Sequence, residues 1–259
     1  MIFDFITITG ADDNVEEIFL EDMATQYSHV EWGILFSTSR QGTPRYPSSE
    51  WITQLVYDFY PKWDTSFSAH ICGSMCERII RDVDLKFLEE QIGPLFTRIQ
   101  LNSFPEMTIE SGVSELSMNP YIYDDGGNLI DVATNVAALA SAFRLDGNTE
   151  IVLPIPNERV VEVCKTSLYL TPNISFLYDS SRGKGVSPDG WPEITLFDEA
   201  YVGFAGGINP DNIKEVLDTL CARPGNRHFW LDVESGARTD DRMDIKKVEQ
   251  LLKISEEFL

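Results

Sequence analysis

Two glycines followed within a few residues by a helix start form a place where a chain can hold an anion. Residues 204–213, Phe-Ala-Gly-Gly-Ile-Asn-Pro-Asp-Asn-Ile, run in that order. Gly206 and Gly207 carry no Cβ, so the backbone there can come within hydrogen-bonding distance of a ligand. Asn209 suits a helix N-cap, Pro210 the first helical position and Asp211 the first turn. Such a start presents unpaired N–H groups and a partial positive charge, both matched to a phosphate. A glycine turn after a strand also serves simply to redirect the chain, so the segment alone has two readings.

The elements that must position this turn are legible as an alternation. Eight β-rich runs (Phe5–Thr9, Glu31–Phe36, Ser68–Cys72, Arg98–Asn102, Glu150–Ile155, Ser175–Asp179, Tyr201–Ala205 and His228–Val233) alternate with helical stretches at 14–27, 48–60, 76–91, 130–144, 157–169, 190–198, 210–221 and 244–257. Eight strand–helix units in 259 residues predict an α/β fold, a (β/α)8 TIM barrel spanning 1–259 as a single domain. Near-continuous apolar runs such as Ile-Val-Leu-Pro-Ile fit strands covered on both faces. An open doubly wound sheet is the alternative, because alternation does not say whether the sheet closes. Between the fourth and fifth strands, residues 104–128 contain turn signals at Asp124-Asp125-Gly126-Gly127-Asn128 and predict an inserted loop or hairpin over the barrel mouth.

In such a barrel the chemistry is carried by the loops after the strands. Six of the 20 basic residues (Arg40, Arg45, Arg182, Lys184, Arg238 and Arg242) fall in or beside those loops. In a chain of net charge −22 that clustering points to an anionic small molecule, whereas the overall acidity argues against nucleic acid or an anionic membrane as a partner. No run of about 18 apolar residues exists and the N-terminus lacks a signal peptide's basic stretch, so a soluble, cytoplasmic protein is expected. Cys72, Cys76, Cys164 and Cys221 are too scattered for a disulfide framework and are expected as reduced thiols. Neither they nor His29, His70 and His228 fall at metal-ligand spacing, and no metal or other cofactor is implied. Oligomeric state is not legible.

Five strand ends resemble the phosphoribosylanthranilate isomerase family, barrels that perform an Amadori rearrangement of a phosphorylated aminosugar. They are Gly-Ile-Leu-Phe followed by Thr-Pro-Arg-Tyr (33–46), Ile-Gln-Leu (99–101), Leu-Tyr-Asp-Ser with a Gly-Lys-Gly loop and Gly190-Trp191 (177–191), the glycine-pair segment, and Leu-Asp-Val-Glu-Ser-Gly (231–236). The resemblance implies Asp179 as general acid and Arg45 beside the substrate carboxylate. It implies a phosphate cradle of Gly206, Gly207, Ser235 and Gly236 with the loop Gly183, Lys184 and Gly185. Arg182, in the same loop, and Thr9 and Asn102 are expected to line the substrate site.

The family's first strand ends in Lys-Ile-Cys-Gly, whose cysteine is the general base, and the matching stretch here is Thr7-Ile8-Thr9-Gly10. A threonine hydroxyl is no base near neutral pH. Asp12 or Asp13 in the same loop, or Cys72 at the end of the third strand, can take its place, while His70 is expected as a satisfied core residue. Asn102 stands where the family has histidine and Arg238 where it often has glutamate. Two functions are therefore expected to compete. One is an isomerase of altered specificity acting on a phosphosugar; the other is an inactive barrel that binds or senses a phosphorylated metabolite or nucleotide.

Overall fold

A computed structural model describes residues 1–56, 65–84, 86, 88, 95–102, 104–110, 113–119, 132–146, 149–156, 173–181, 183–188, 190–192 and 201–259. Its first ten strands in chain order are β1 (Ile2–Thr9), β2 (Val30–Phe36), β3 (Ser66–Cys72), β4 (Phe96–Asn102), β5 (Phe104–Glu110), β6 (Val113–Asn119), β7 (Glu150–Ile155), β8 (Ile174–Tyr178), β9 (Val202–Ala205) and β10 (His228–Val233). All except β5 and β6 close into one barrel in the order β1-β10-β9-β8-β7-β4-β3-β2. Every pairing in it is parallel. The barrel is therefore closed rather than an open sheet, and its eight strands are those the sequence predicts.

The helices are α1 (Glu17–Gln26), α2 (Ser49–Gln54), α3 (Ser74–Asp82), α4 (Val132–Asp146), α5 (Ile213–Cys221) and α6 (Ile245–Glu256). Their starts follow from local chemistry. The Ser48 hydroxyl accepts from the Trp51 N–H, and the Asp244 carboxylate accepts from the N–H groups of Lys246 and Lys247. In α5 the buried side chains Ile213, Val216, Leu217 and Leu220 recur at helical spacing and form the face that meets the sheet. Regular helix there begins at Ile213, three residues later than the cap at Asn209 implies. Asn209 does cap a single turn ahead of it, accepting the Asp211 N–H on its side chain and the Ile213 N–H on its carbonyl. The helix expected at 157–169, and that at 190–198 from residue 193 on, lie outside the described residues. The insertion after β4 begins as a hairpin, β5 pairing antiparallel with β6 from Phe104↔Asn119 to Glu110↔Val113. Residues 120–128 of the insertion lie outside the described residues.

Side chains alternate along each strand. One set, including Ile6, Ile8, Ile34, Ile71, Leu101, Leu153, Phe204 and Leu231, belongs to the main buried cluster shared with helices. The inward set divides the barrel. From β7 to β10 the interior is mostly apolar, with Val152, Leu177, Ala205 and Trp230 in one cluster and Ser175 and Asp232 as its buried polar members. Gly203 makes room for Trp230, whose indole occupies the space a Cβ there would need. From β1 to β4 the interior is polar: Thr7, Thr9, Glu31, Ser68, His70, Arg98 and Gln100 are all buried. The expectation of strands apolar on both faces thus holds for β7 and β9, is interrupted by Ser175 on β8 and Asp232 on β10, and fails for β1–β4. The Arg98 guanidinium lies 4.1 Å above the Trp230 ring. It donates to Glu31 at 2.9 Å and Glu150 at 2.7 Å, and Thr7 donates to the same Glu31 oxygen. Among the described residues no helix is long and apolar enough to cross a membrane.

Candidate active site

At the C-terminal ends of the barrel strands the chain encloses a cavity of about 540 Å³. Thr9, Arg45, Cys72, Asn102, Asp179, Gly183, Lys184, Gly185, Gly206, Gly207 and Ser235 all line it, although they come from seven different strand ends. Gly236 lines an adjoining cavity of about 360 Å³ that shares Gly185, Gly207 and Ser235 with the first. Asp12 is absent from both linings, and Arg182 lies outside the described residues.

The glycine wall is built by close approach. Gly206 sits at φ +115°, in the region open to glycine, and a Cβ there would lie 2.9 Å from the Val186 carbonyl oxygen. A Cβ at Gly236 would overlap the carbonyl of Ile208. The loops after β8, β9 and β10 therefore approach closely at these glycines, and the Ser187 hydroxyl donates to the Gly207 carbonyl. Among the described residues, the backbone N–H groups of Gly206, Gly207, Ser235 and Gly236 donate to nothing within the chain. Such a set of aimed donors is what a phosphate requires. Lys184 stands exposed at the same rim with no acidic partner among the described residues.

Asp179 holds this wall together. Its Oδ1 accepts from the Ser181 N–H at 2.9 Å and hydroxyl at 2.6 Å, and its Oδ2 accepts from the Gly183 N–H at 2.6 Å. Both oxygens are occupied by the loop's own donors, so the side chain acts on the loop's shape.

The opposite wall is made of side chains. Burial pushes the Cys72 thiol up to about 11, so at neutral pH it is not the thiolate a replacement base needs; Asn102 donates to its sulfur at 3.3 Å. Asp12 is corrected in the same way. Burial alone would raise its carboxyl, but donors from the Arg45 N–H, Asn14 and Arg238 outweigh that and hold it below the usual value, the reverse of a poised base. It is the buried partner of Arg238 at 3.1 Å, and Arg238 also donates to the Gly10 carbonyl. Arg238 thus ties down the β1 loop. His70, buried on the cavity floor, is lowered to about 3 by burial and by the nearby Arg98, so it is neutral.

The carboxylate poised for proton transfer is one that spacing did not single out. Asp232 on β10 is 8% exposed and lines the cavity. The Thr9 hydroxyl donates to its Oδ1 at 2.8 Å. Burial first, then the nearby carboxylates of Glu234, Asp179 and Glu31, raise its pKa to about 7 against the opposing Thr9 hydrogen bond. Its only trace in the sequence is its place in Leu-Asp-Val-Glu-Ser-Gly.

Residues 150–254 match the sequence profile described as N-(5'-phosphoribosyl)anthranilate (PRA) isomerase. Over that stretch, and not over the rest, the sequence is similar to this family. The structure of N-(5'-phosphoribosyl)anthranilate isomerase from Pyrococcus furiosus superposes on this chain with a TM-score of 0.56 at 11% identity, covering 98% of each chain. A thiamine phosphate pyrophosphorylase from Pyrococcus furiosus superposes with a TM-score of 0.47 at 18% identity, over 100% of this chain and 96% of that one. No curated protein sequence matches significantly. The matched span carries β7 to β10 with the glycine loops that follow them, Asp179 and Asp232.

Proposed function

We propose that this barrel binds a phosphorylated ribose-type ligand and isomerises it, with Asp232 as the group that moves the proton. The reading rests on one juxtaposition: a buried carboxylate with a pKa of about 7, oriented by Thr9, shares a cavity with unpartnered backbone N–H groups. A phosphate on the Gly206–Gly207 and Ser235–Gly236 turns leaves the sugar chain in the cavity with Asp232. The ionised carboxylate takes the proton from the carbon next to the open-chain carbonyl, and that C–H electron pair forms the enediol double bond. Return of that proton to the former carbonyl carbon, with the proton of the adjacent hydroxyl passing to the former carbonyl oxygen, moves the carbonyl by one position with no atoms or electrons gained or lost. A group whose pKa lies near the working pH suits both halves of this cycle. Asp179, bound on both oxygens by its loop, positions the 181–185 segment rather than supplying the acid.

The competing reading, a binder without turnover, is favoured by the loss of the first-strand base at Thr9 and by the neutral Cys72 thiol. Asp232→Asn and Asp179→Asn, measured for ribose 5-phosphate affinity and for conversion of aldose phosphates, separate the two. Catalysis by Asp232 predicts that Asp232→Asn keeps affinity and loses turnover, whereas Asp179→Asn loses affinity as its loop loosens. A wild-type protein that binds ribose 5-phosphate but converts no sugar phosphate would establish the binder.

A further inference from the structure

The guanidinium placed to meet a ligand carboxylate is already occupied. Arg45 donates through Nε to Asp241 at 2.5 Å and through Nη1 to Glu234 at 2.8 Å. Its backbone is fixed in the left-handed region at φ 77°, with its N–H given to Asp12 at 2.7 Å. Its partner is equally fixed. Asp240 and Asp241, at φ 50° and 60°, are the central pair of a tight hairpin turn between β11 (Arg238–Thr239) and β12 (Arg242–Met243). Arg238 clamps that turn by donating to the Asp241 carbonyl at 2.7 Å. The pairing is therefore built into three loops rather than being a contact between two mobile side chains.

The place of this network in the barrel matters. Arg45 follows β2, and β2 and β8 lie four strands apart in either direction round the barrel, so the Arg45 side of the network faces the Lys184 loop across the mouth, while Glu234 reaches it from the β10 loop beside Ser235. A ligand with its phosphate on the cradle presents its other end here. That end meets a neutralised arginine and the carboxylates of Asp232, Glu234 and Asp241, all of which line the cavity. Arg40, the other cation of this loop, is exposed and packs over the Tyr46 ring at 5.6 Å. An anionic group at this end would have to displace two acids from Arg45 and then sit beside them.

We infer that the substrate's end remote from the phosphate is a hydroxyl-rich or otherwise uncharged group and not a carboxylate, Glu234 and Asp241 being the residues that set this specificity. The inference rests on the proposed function above. It is tested by the affinities of ribose 5-phosphate and 5-phosphoribonate, which differs in bearing a carboxylate at C1, with inorganic phosphate as a third probe. The wild type should bind ribose 5-phosphate about tenfold or more the tighter of the two. Glu234→Gln with Asp241→Asn frees Arg45 and should narrow the ratio by raising affinity for 5-phosphoribonate. Asp241→Asn alone, on a half-exposed residue, should move it part of the way even where the double variant folds poorly. Equal or tighter binding of 5-phosphoribonate by the wild type, or an unchanged ratio in the variants, would overturn this inference alone. Absence of binding by all three probes would overturn the phosphate cradle, and the inference with it.

Discussion

The two halves of the barrel solve the same problem, shaping a mouth, by different means. From β7 to β10 the interior is mostly apolar and the loops approach closely at glycines where a side chain would collide. From β1 to β4 the interior is polar and the loops are tied by charges: Asp12 to Arg238, Arg45 to Glu234 and Asp241, Arg98 to Glu31 and Glu150. The family profile matches residues 150–254, the first of these halves. A backbone cradle tolerates little change, because its donors exist only while the chain paths stay put. A wall of side chains can exchange its chemistry one residue at a time, and in the resemblance it is this wall that has lost cysteine and histidine. Asp232 lies on the seam, belonging to the matched half but held by Thr9 from the other, 223 residues away in the chain.

The largest effect that can break this division is at the seam. Asp232→Asn should lower turnover of an aldose phosphate by about 10²–10⁴-fold with ligand affinity kept, because it removes the one poised acid/base group. In the wild type, kcat/KM should rise with pH through an apparent pKa near 7. The sign for stability is opposite. The folded pKa of Asp232 is raised, so its contribution is fully present below about pH 4 and is lost as pH rises to about 7. Chemical denaturation across that range should show a slope that Asp232→Asn flattens.

Next in size is the side-chain wall. Arg238→Met leaves Asp12 buried without its charge partner and should cost about 3–5 kcal/mol of stability, read by urea unfolding. If it costs under about 1 kcal/mol, the β1 loop is not held by that pair. On the backbone wall, Gly236→Ala should cost about 1–3 kcal/mol by overpacking and weaken phosphate binding together, since the same displacement moves the donors. Unchanged phosphate affinity in a destabilised Gly236→Ala protein would separate the cradle from the close approach. The smallest effect is Lys184→Ala. An exposed single cation is worth about 1 kcal/mol or less, so affinity for ribose 5-phosphate should fall a few-fold at low salt and hardly at all at high salt.

Much of the fold was legible because its signals are local. The eight strands, the helical stretches opening at 48 and 244 and the glycine loops follow from hydrophobic runs, helical periodicity and missing Cβ atoms. The site was legible in one half only. Glycine spacing and the Asp179 loop pointed to the cradle wall. Asp12 and Cys72 were named for the other wall by their place after strands, and their surroundings decide otherwise: one is held as an anion by Arg238 and backbone donors, the other as a thiol by burial. Asp232 is not legible as a site residue, because an aspartate inside a strand carries no mark of how deeply it is buried.

The sequence by itself determined a (β/α)8 alternation, a cluster of cations in the loops of an acidic chain and a set of glycines where backbone must approach backbone. Only the tertiary structure decided which carboxylate has its pKa raised towards neutrality and which arginine is already paired with acids. Periodicity and the absence of a Cβ are properties of neighbours in the chain. A pKa and an ion pair depend on burial and on charges brought in by distant strands, as Thr9 is to Asp232 and Asp241 to Arg45.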